Sequence, residues 1–285
     1  MDDLEGVSAT LAARRLGLTL RALRGRIDTL RVIDVAKTAG LSQPTWSQVE
    51  TGVAVPTADS LLAASEKLEA TEEEVAALMA LRERAKRHEW WHDYDDVASS
   101  ALLKLVGYEA SARKIQMCSS GWVPGLLQTR AWARASINVP GIKRRPENID
   151  RAVDLRMQRK TILENPRVQL HAICGEEAVR YQPGGREVQR DQLRHLLEMN
   201  DAENLTVQVV PFTAGLHLGH SSPYTLLSFG DDADSPLFHQ EHSADAVLSD
   251  NPAEVRRWNY VFGELVKIAL PVEESRRLIE SILKE

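Results

Sequence analysis

The chain has 285 residues, 43% of them hydrophobic, with a net charge of −6 and two cysteines. That length accommodates two domains and a sizeable core, and no apolar run approaches the roughly 18–20 residues of a membrane span. Cys118 and Cys174 stand far apart in apolar surroundings, which argues against a disulfide framework.

The opening stretch MDDLEGVSAT is acidic and polar, unlike a secretory leader, so a cytoplasmic protein is expected. The acidic total conceals a basic end. Between Leu11 and Pro56 seven basic residues (Arg14, Arg15, Arg21, Arg24, Arg26, Arg31, Lys37) face three acids (Asp28, Asp34, Glu50). From Thr57 to Ala80 the balance reverses, with only Lys67 against six acids.

Ser8–Arg26 reads as a first helix, with Leu11, Arg14/Arg15, Leu18 and Ala22/Leu23 at helical spacing. Arg31–Gly52 has the pattern of helix, tight turn and second helix. An apolar run (Val32, Ile33, Val35, Ala36) ends at Ala39-Gly40, where glycine supplies the left-handed residue that stops a helix. Ser42 is placed to cap the next helix, and Pro44 falls in its first turn, where a missing N–H is harmless. In that helix Trp46 and Val49 face inward, leaving Gln43, Thr45, Ser47 and Gln48 outward. A face of amides and hydroxyls suits base edges in a major groove. A loop with Pro56, a Thr57 cap, a helix through Leu61, Leu62, Ala64 and Leu68, and a Thr71–Glu74 capping box follow. The capping box opens a long helix expected to run toward His92. A compact bundle of four or five helices results. The bland alternative is a structural bundle that has lost DNA binding; the polar face, local positive charge and capped turn together favour binding.

Residues 18–70 resemble the Xre-type helix-turn-helix domain of the lambdoid phage repressors, through Ala36, Gly40, Ser42, Gln43, Ser47, Glu50, Gly52 and Pro56. The resemblance implies that the second helix of the pair enters the major groove, with Gln43, Thr45 and Gln48 at base edges. Arg31, Lys37, Ser42 and Ser47 are then candidates for the DNA backbone. It also implies a structural Arg24–Glu50 pair. Two features depart from that family. The loop ahead of the pair is one residue longer, and Arg31-Val32 replaces the usual Thr-Gln entry, so that Arg31 would take the phosphate contact with Asp28 or Thr29 as cap.

A second region begins near Trp90, where Trp90, Trp91 and Tyr94 suit the anchoring of a linker on a second core. Tyr108–Gln116 is expected to be helical, WVPGLLQT (Trp122–Thr129) a turn feeding a helix, and Pro146–Leu163 a basic amphipathic helix. Strands are expected at Val168–Cys174, Leu205–Val210, Tyr224–Phe229 and Leu237–Glu241. Helices are expected at Glu187–Met199, Pro252–Leu270 and Val272–Leu283. The fold class is therefore α+β: an all-α helix-turn-helix bundle with a linker helix (1–87), then a mixed α/β regulatory domain (88–285) with a sheet of about four strands.

Residues 94–285 resemble the C-terminal domain of the WhiJ-like actinomycete regulators. The resemblance rests on Tyr108-Glu109, VPGLLQT followed by Ala133-Arg134-Ala135, Arg156/Arg159, Glu176, VQVVPF (Val207–Phe212), the Gly215/His217/Gly219 turn and Glu241. Lys160, where that family usually has Gln, and His220 depart from it. The resemblance implies control of development or antibiotic production, often with a small partner protein encoded nearby. It implies no pocket chemistry.

His88-Glu89-Trp90-Trp91-His92 fits the H-E-x-x-H pattern of helical zinc sites. It overlaps a tryptophan pair with its own packing role, and nothing marks a third ligand. Six of the eight histidines fall in pairs, and His217, His220, His239 and His242, with Glu241, have spacings compatible with a transition metal. The simpler reading puts His217 and Glu241 in a polar core or partner groove, leaves His220 and His242 at the surface, and assigns no metal and no cofactor. Ser221-Ser222 lack a nucleophile elbow. Gly184-Gly185 and Gly215–Gly219 are turns, not phosphate loops, and the basic stretch Lys143–Lys160 reads as a solvated face. The expected function is a non-enzymatic, sequence-specific DNA-binding regulator, a homodimer on an inverted repeat, governed through its C-terminal domain by a ligand or partner. The alternative is an antitoxin-like protein that chiefly holds a small partner, with autoregulation secondary. A metal-dependent hydrolase is the least favoured.

Overall fold

The computed structural model describes residues 4, 6–139, 145–220, 223–230, 234–241 and 246–285. The chain divides into two compact units: one runs through Asp93 and includes Val106–Ser111, and the other comprises Tyr94–Leu105 and Ala112–Glu285. The fold is α+β, a helical N-terminal region followed by a mixed α/β unit.

The first unit contains α1 (Ala9–Gly25), α2 (Val32–Thr38), α3 (Gln43–Glu50), α4 (Ala58–Lys67) and α5 (Glu72–Ala85). Local side-chain chemistry sets most of the starts. Ser8, Ser42, Thr57 and Thr71 each accept a backbone N–H three residues on, and Glu74 closes the capping box at Thr71. Leu16, Leu20 and Leu23 of α1 meet Val35, Ala36, Trp46, Val49, Leu61, Leu68 and Leu78 in one core. α6 (Ser100–Glu109) contributes its C-terminal end to this unit. There the Ser8 N–H donates to Ser111 Oγ at 2.7 Å and the Ser8 hydroxyl donates to the Gly107 carbonyl at 2.5 Å.

The long helix expected to reach His92 instead stops at Ala85, and Trp90–Tyr94 is a short 3-10 turn. Tertiary contacts turn the chain here. Trp91 is buried, and Glu89 accepts from Arg84 at 2.7 Å and from the Ala9 N–H at the α1 N-terminus at 3.1 Å. His88 and His92 therefore do not share an α-helical face, and the Glu89 carboxylate already holds a guanidinium.

The second unit is built on one six-stranded sheet, ordered β3-β2-β1-β4-β5-β6. Its strands are β1 (Lys114–Ser119), β2 (Gln169–Gly175), β3 (Leu205–Val210), β4 (Tyr224–Ser228), β5 (Leu237–Glu241) and β6 (Ala246–Ser249). The first three are parallel, and β4, β5 and β6 add antiparallel. Parallel neighbours require crossovers. The β1–β2 crossover contains α7 (Arg130–Ile137) and α8 (Pro146–Lys160), and the β2–β3 crossover contains α9 (Glu176–Arg180) and α10 (Arg186–Met199). After β6 come α11 (Pro252–Ile268) and α12 (Val272–Lys284).

The expected four strands are six. Lys114–Ser119 overlaps the expected helix Tyr108–Gln116, whose helical part ends at Glu109, and the four-residue β6 was not foreseen. One face of the sheet (Cys118, Ile173, Tyr224, Leu226, Phe238) packs on Val255, Val261, Phe262 and Leu265 of α11. The other face is buried as well, through Ile115, Ala172, Val207 and Leu227. The outer edge of β3 is covered: the Val209 N–H donates to Ser275 Oγ, and the Leu270 N–H to the Val209 carbonyl. Cys118 pairs with Ile173 and Ser119 with Cys174, so the two cysteines point to opposite faces. Both are free and buried, and burial pushes each thiol up to about 12.

Candidate nucleic-acid interface

The turn between α2 and α3 is fixed by backbone geometry. Gly40 has φ +68°, its N–H donates to the Lys37 carbonyl, and the Leu41 N–H reaches back to the Ala36 carbonyl. This double bond pattern satisfies carbonyls the helix end would leave open. Ser42 then caps α3, accepting the Thr45 N–H at 3.3 Å and sharing a 2.7 Å hydroxyl contact with Thr45.

α3 divides cleanly. Trp46, Val49 and Glu50 are buried, Gln43, Ser47 and Gln48 are exposed, and Thr45 is half-buried. Arg24 on α1 grips Glu50 with two hydrogen bonds (Nε to Oε1, 2.7 Å; a terminal nitrogen to Oε2, 2.8 Å), and those bonds push the guanidinium pKa up. The Trp46 indole N–H donates to the same carboxylate at 2.8 Å. Glu50 is thus tied both to α1 and to its own helix.

Two glycines complete the seat of α3. A Cβ on Gly17 would lie 2.4 Å from the Val49 carbonyl oxygen, and one on Gly52 (φ +67°) 2.7 Å from Arg14 Cα. Backbone therefore meets backbone where α1 crosses the end of α3. Sequence reasoning missed Gly17, although a glycine inside a well-formed helix is itself a signal of close approach.

The basic surface is smaller than the sequence count. Arg24 is spent on Glu50, Arg26 pairs with Glu74 at 2.7 Å, and Arg14 is buried. Arg21 and Lys37 are exposed, with no ion pair among the described residues. Arg31 is exposed but leans on Asp34, with its Nε 3.2 Å from the carboxylate. Its hydrogen bond holds the Asp34 carboxyl below the usual range. Arg31 itself occupies the N-cap position of α2, and its backbone N–H donates to Asp34, so neither Asp28 nor Thr29 is the cap. An exposed pair of this kind is weak, and a phosphate could take the guanidinium from Asp34 at little cost.

His239 and the His217/His220 pair do not converge. His239 pairs with Thr225 in the sheet, opposite in sense to Tyr224 and Phe238, and is lowered to about 4 by burial and then by Arg159. His217 and His220 lie together, rings 4.1 Å apart, in a turn beside Cys118 on the face that α11 covers. His242 lies outside the described residues, as do Ser221, Ser222 and Lys143, and no metal-sized group of three His, Cys, Asp or Glu side chains occurs among the described residues. No helix among them is long and apolar enough to cross a membrane.

Residues 15–78 match a family model described as a helix-turn-helix domain, and residues 102–281 match one described as a domain of unknown function, DUF5753. No curated protein and no solved structure matches the chain. The helix-turn-helix match covers α2 and α3 with Gly17, Arg24 and Gly52 and points to DNA binding. With most of its length inside the second model, the chain belongs to the DUF5753 family, carrying that domain behind an N-terminal helix-turn-helix domain.

Proposed function

We propose that the protein is a sequence-specific, DNA-binding transcriptional regulator of the WhiJ-like kind, acting as a homodimer on an inverted repeat and governed through its C-terminal domain. One observation carries this reading: α3 is locked from behind by Trp46, Val49 and Glu50 while Gln43, Ser47 and Gln48 stand free on the opposite side. A rigid helix with an uncommitted amide face is what base reading requires. Gln48 and Gln43 would each offer donor and acceptor to an adenine edge. The Thr45 hydroxyl is turned back to Ser42, which leaves its methyl for a thymine methyl. Ser42, Ser47, Lys37 and Arg31 would hold phosphates, which position the helix without reading sequence. A single module buries too little to select a genomic site, hence the dimer.

Replacing Gln48 by Ala should cost about 1–3 kcal/mol on the cognate operator and relax one base position. The check is a gel-shift titration on operator and random duplexes; equal loss on both would remove the base-reading role.

A second reading is favoured by the exposed apolar side chains Phe212, Leu216 and Leu218 that follow β3. They suit a small protein partner in an antitoxin-like arrangement. Co-purification with the product of the adjacent reading frame would test it.

A further inference from the structure

A cavity of about 710 Å³ opens at the carboxyl ends of the parallel strands β1 and β2. Its walls are the loop after β1 (Ser120–Trp122), the C-terminal end of α7 (Ser136, Asn138) and the loop after α9 (Tyr181–Gly184). The crevice outside the carboxyl ends of parallel strands is where open α/β sheets generally receive ligands, and the volume falls inside the range of small-molecule sites.

The walls are prearranged. Ser119 Oγ donates to the Trp122 carbonyl at 2.7 Å, and the Trp122 ring stands edge-on to the buried Trp132, centroids 6.4 Å apart. Trp132 is fixed in turn by its N–H bond to Gln189. In the same loop region the Gln128 amide donates to the Val123 carbonyl, and Thr129 caps α7. On the far wall Gly184 has φ +77° and approaches α7 so closely that a Cβ would lie 3.0 Å from that of Ala135.

The lining chemistry selects the occupant. Trp122 and Tyr181 border the cavity yet remain 50% and 59% exposed, so each offers a ring face that gains by being covered. Among the described lining residues there is no carboxylate, ammonium or guanidinium. The helix end that borders the cavity is a C-terminus, whose partial negative charge disfavours anions. The Ser136 hydroxyl is already engaged, donating to the Ala133 carbonyl at 2.9 Å and accepting from Arg156 at 3.3 Å, so the Ser120 hydroxyl and the Asn138 amide supply the further polar contacts. We infer that this cavity is a binding site for an uncharged, flat, fused-ring molecule carrying hydroxyl or carbonyl groups. Its use as the effector site rests on the regulator reading above; the binding itself does not.

The full-length protein would be titrated with quinizarin, an uncharged tricyclic dihydroxyquinone, following tryptophan quenching and heat of binding without DNA, so that a failure here is separate from a failure of DNA recognition. Quinizarin sulfonate and maltose serve as the charged and the sugar-like comparisons. Saturable binding of quinizarin is expected, about tenfold weaker in Tyr181→Ala through loss of ring contact. Gly121→Leu adds a side chain whose Cβ lies 3.7 Å from the Tyr181 ring and should plug the cavity with similar loss. Circular dichroism and melting confirm that both variants fold. The sulfonate should bind about tenfold more weakly, since no cationic side chain is among the described lining residues. No saturable quinizarin binding, binding indifferent to both substitutions, or equal binding of maltose or the sulfonate would overturn the assignment.

Discussion

Trp46 and Gln48 lie two residues apart on α3, one fully buried with its indole N–H on Glu50 and the other open to solvent. That contrast was legible in the sequence, because helical spacing alone decides which side chains share a face. The partners of the charged residues were less legible, since an ion pair depends on which elements the fold brings together. Arg26 finds Glu74 from another helix, and the basic surface shrinks accordingly. The Arg24–Glu50 pair carries a prediction at this scale. Removing one partner of a buried pair costs about 3–5 kcal/mol, and Arg24 keeps some contact with water. Arg24→Ala should therefore lower the unfolding free energy by something under that range, read by urea denaturation. A change within error would mean that Trp46 alone suffices to hold Glu50.

At the level of elements, α1 and α3 touch through glycine. Gly17→Ala forces a methyl to within 2.4 Å of the Val49 carbonyl oxygen, so α3 must shift. Overpacking of this kind costs about 1–3 kcal/mol, and operator affinity should fall with it. Gly25→Ala is the control: it ends the same helix with nothing within 4 Å of the new carbon and should be neutral or stabilising by up to about 1 kcal/mol. Thermal melts and gel shifts on the two variants decide the matter; equal behaviour would show that the close approach is unimportant. Element starts with a local cause, such as Ser42, Thr57 and the Thr71–Glu74 box, were readable from the sequence. β1 was not. Ile115 and Ala112 fit helical spacing after Tyr108, and only pairing with β2 and β4 makes Lys114–Ser119 a strand. β6 is four residues long and owes its existence to β5 alone. In the same way, the burial of Trp91 and the grip of Glu89 on Arg84 ended α5 early, which no local pattern announced.

For the whole molecule, acid should be destabilising in a defined window. His239 is held neutral in the fold, lowered to about 4 from an ordinary 6.5 by burial and by Arg159, and His171, His195 and His217 are lowered in the same direction by burial. Between those limits the unfolded chain binds the proton that the folded chain refuses. Stability is therefore full above about 6.5 and falls as pH drops toward 4, by on the order of 3 kcal/mol for His239. Melting temperatures at pH 7 and pH 5 should differ less in His239→Leu than in the wild type; an unchanged difference would place the titration elsewhere. The DNA-binding account is tested most directly by selecting duplexes from a random pool with the full-length protein. The predicted product is an inverted repeat with half-sites about 10 base pairs apart, whose preferred bases change when Gln43 and Gln48 are both replaced by Ala. A pool without an enriched motif, or the same motif from the doubly substituted protein, would contradict it.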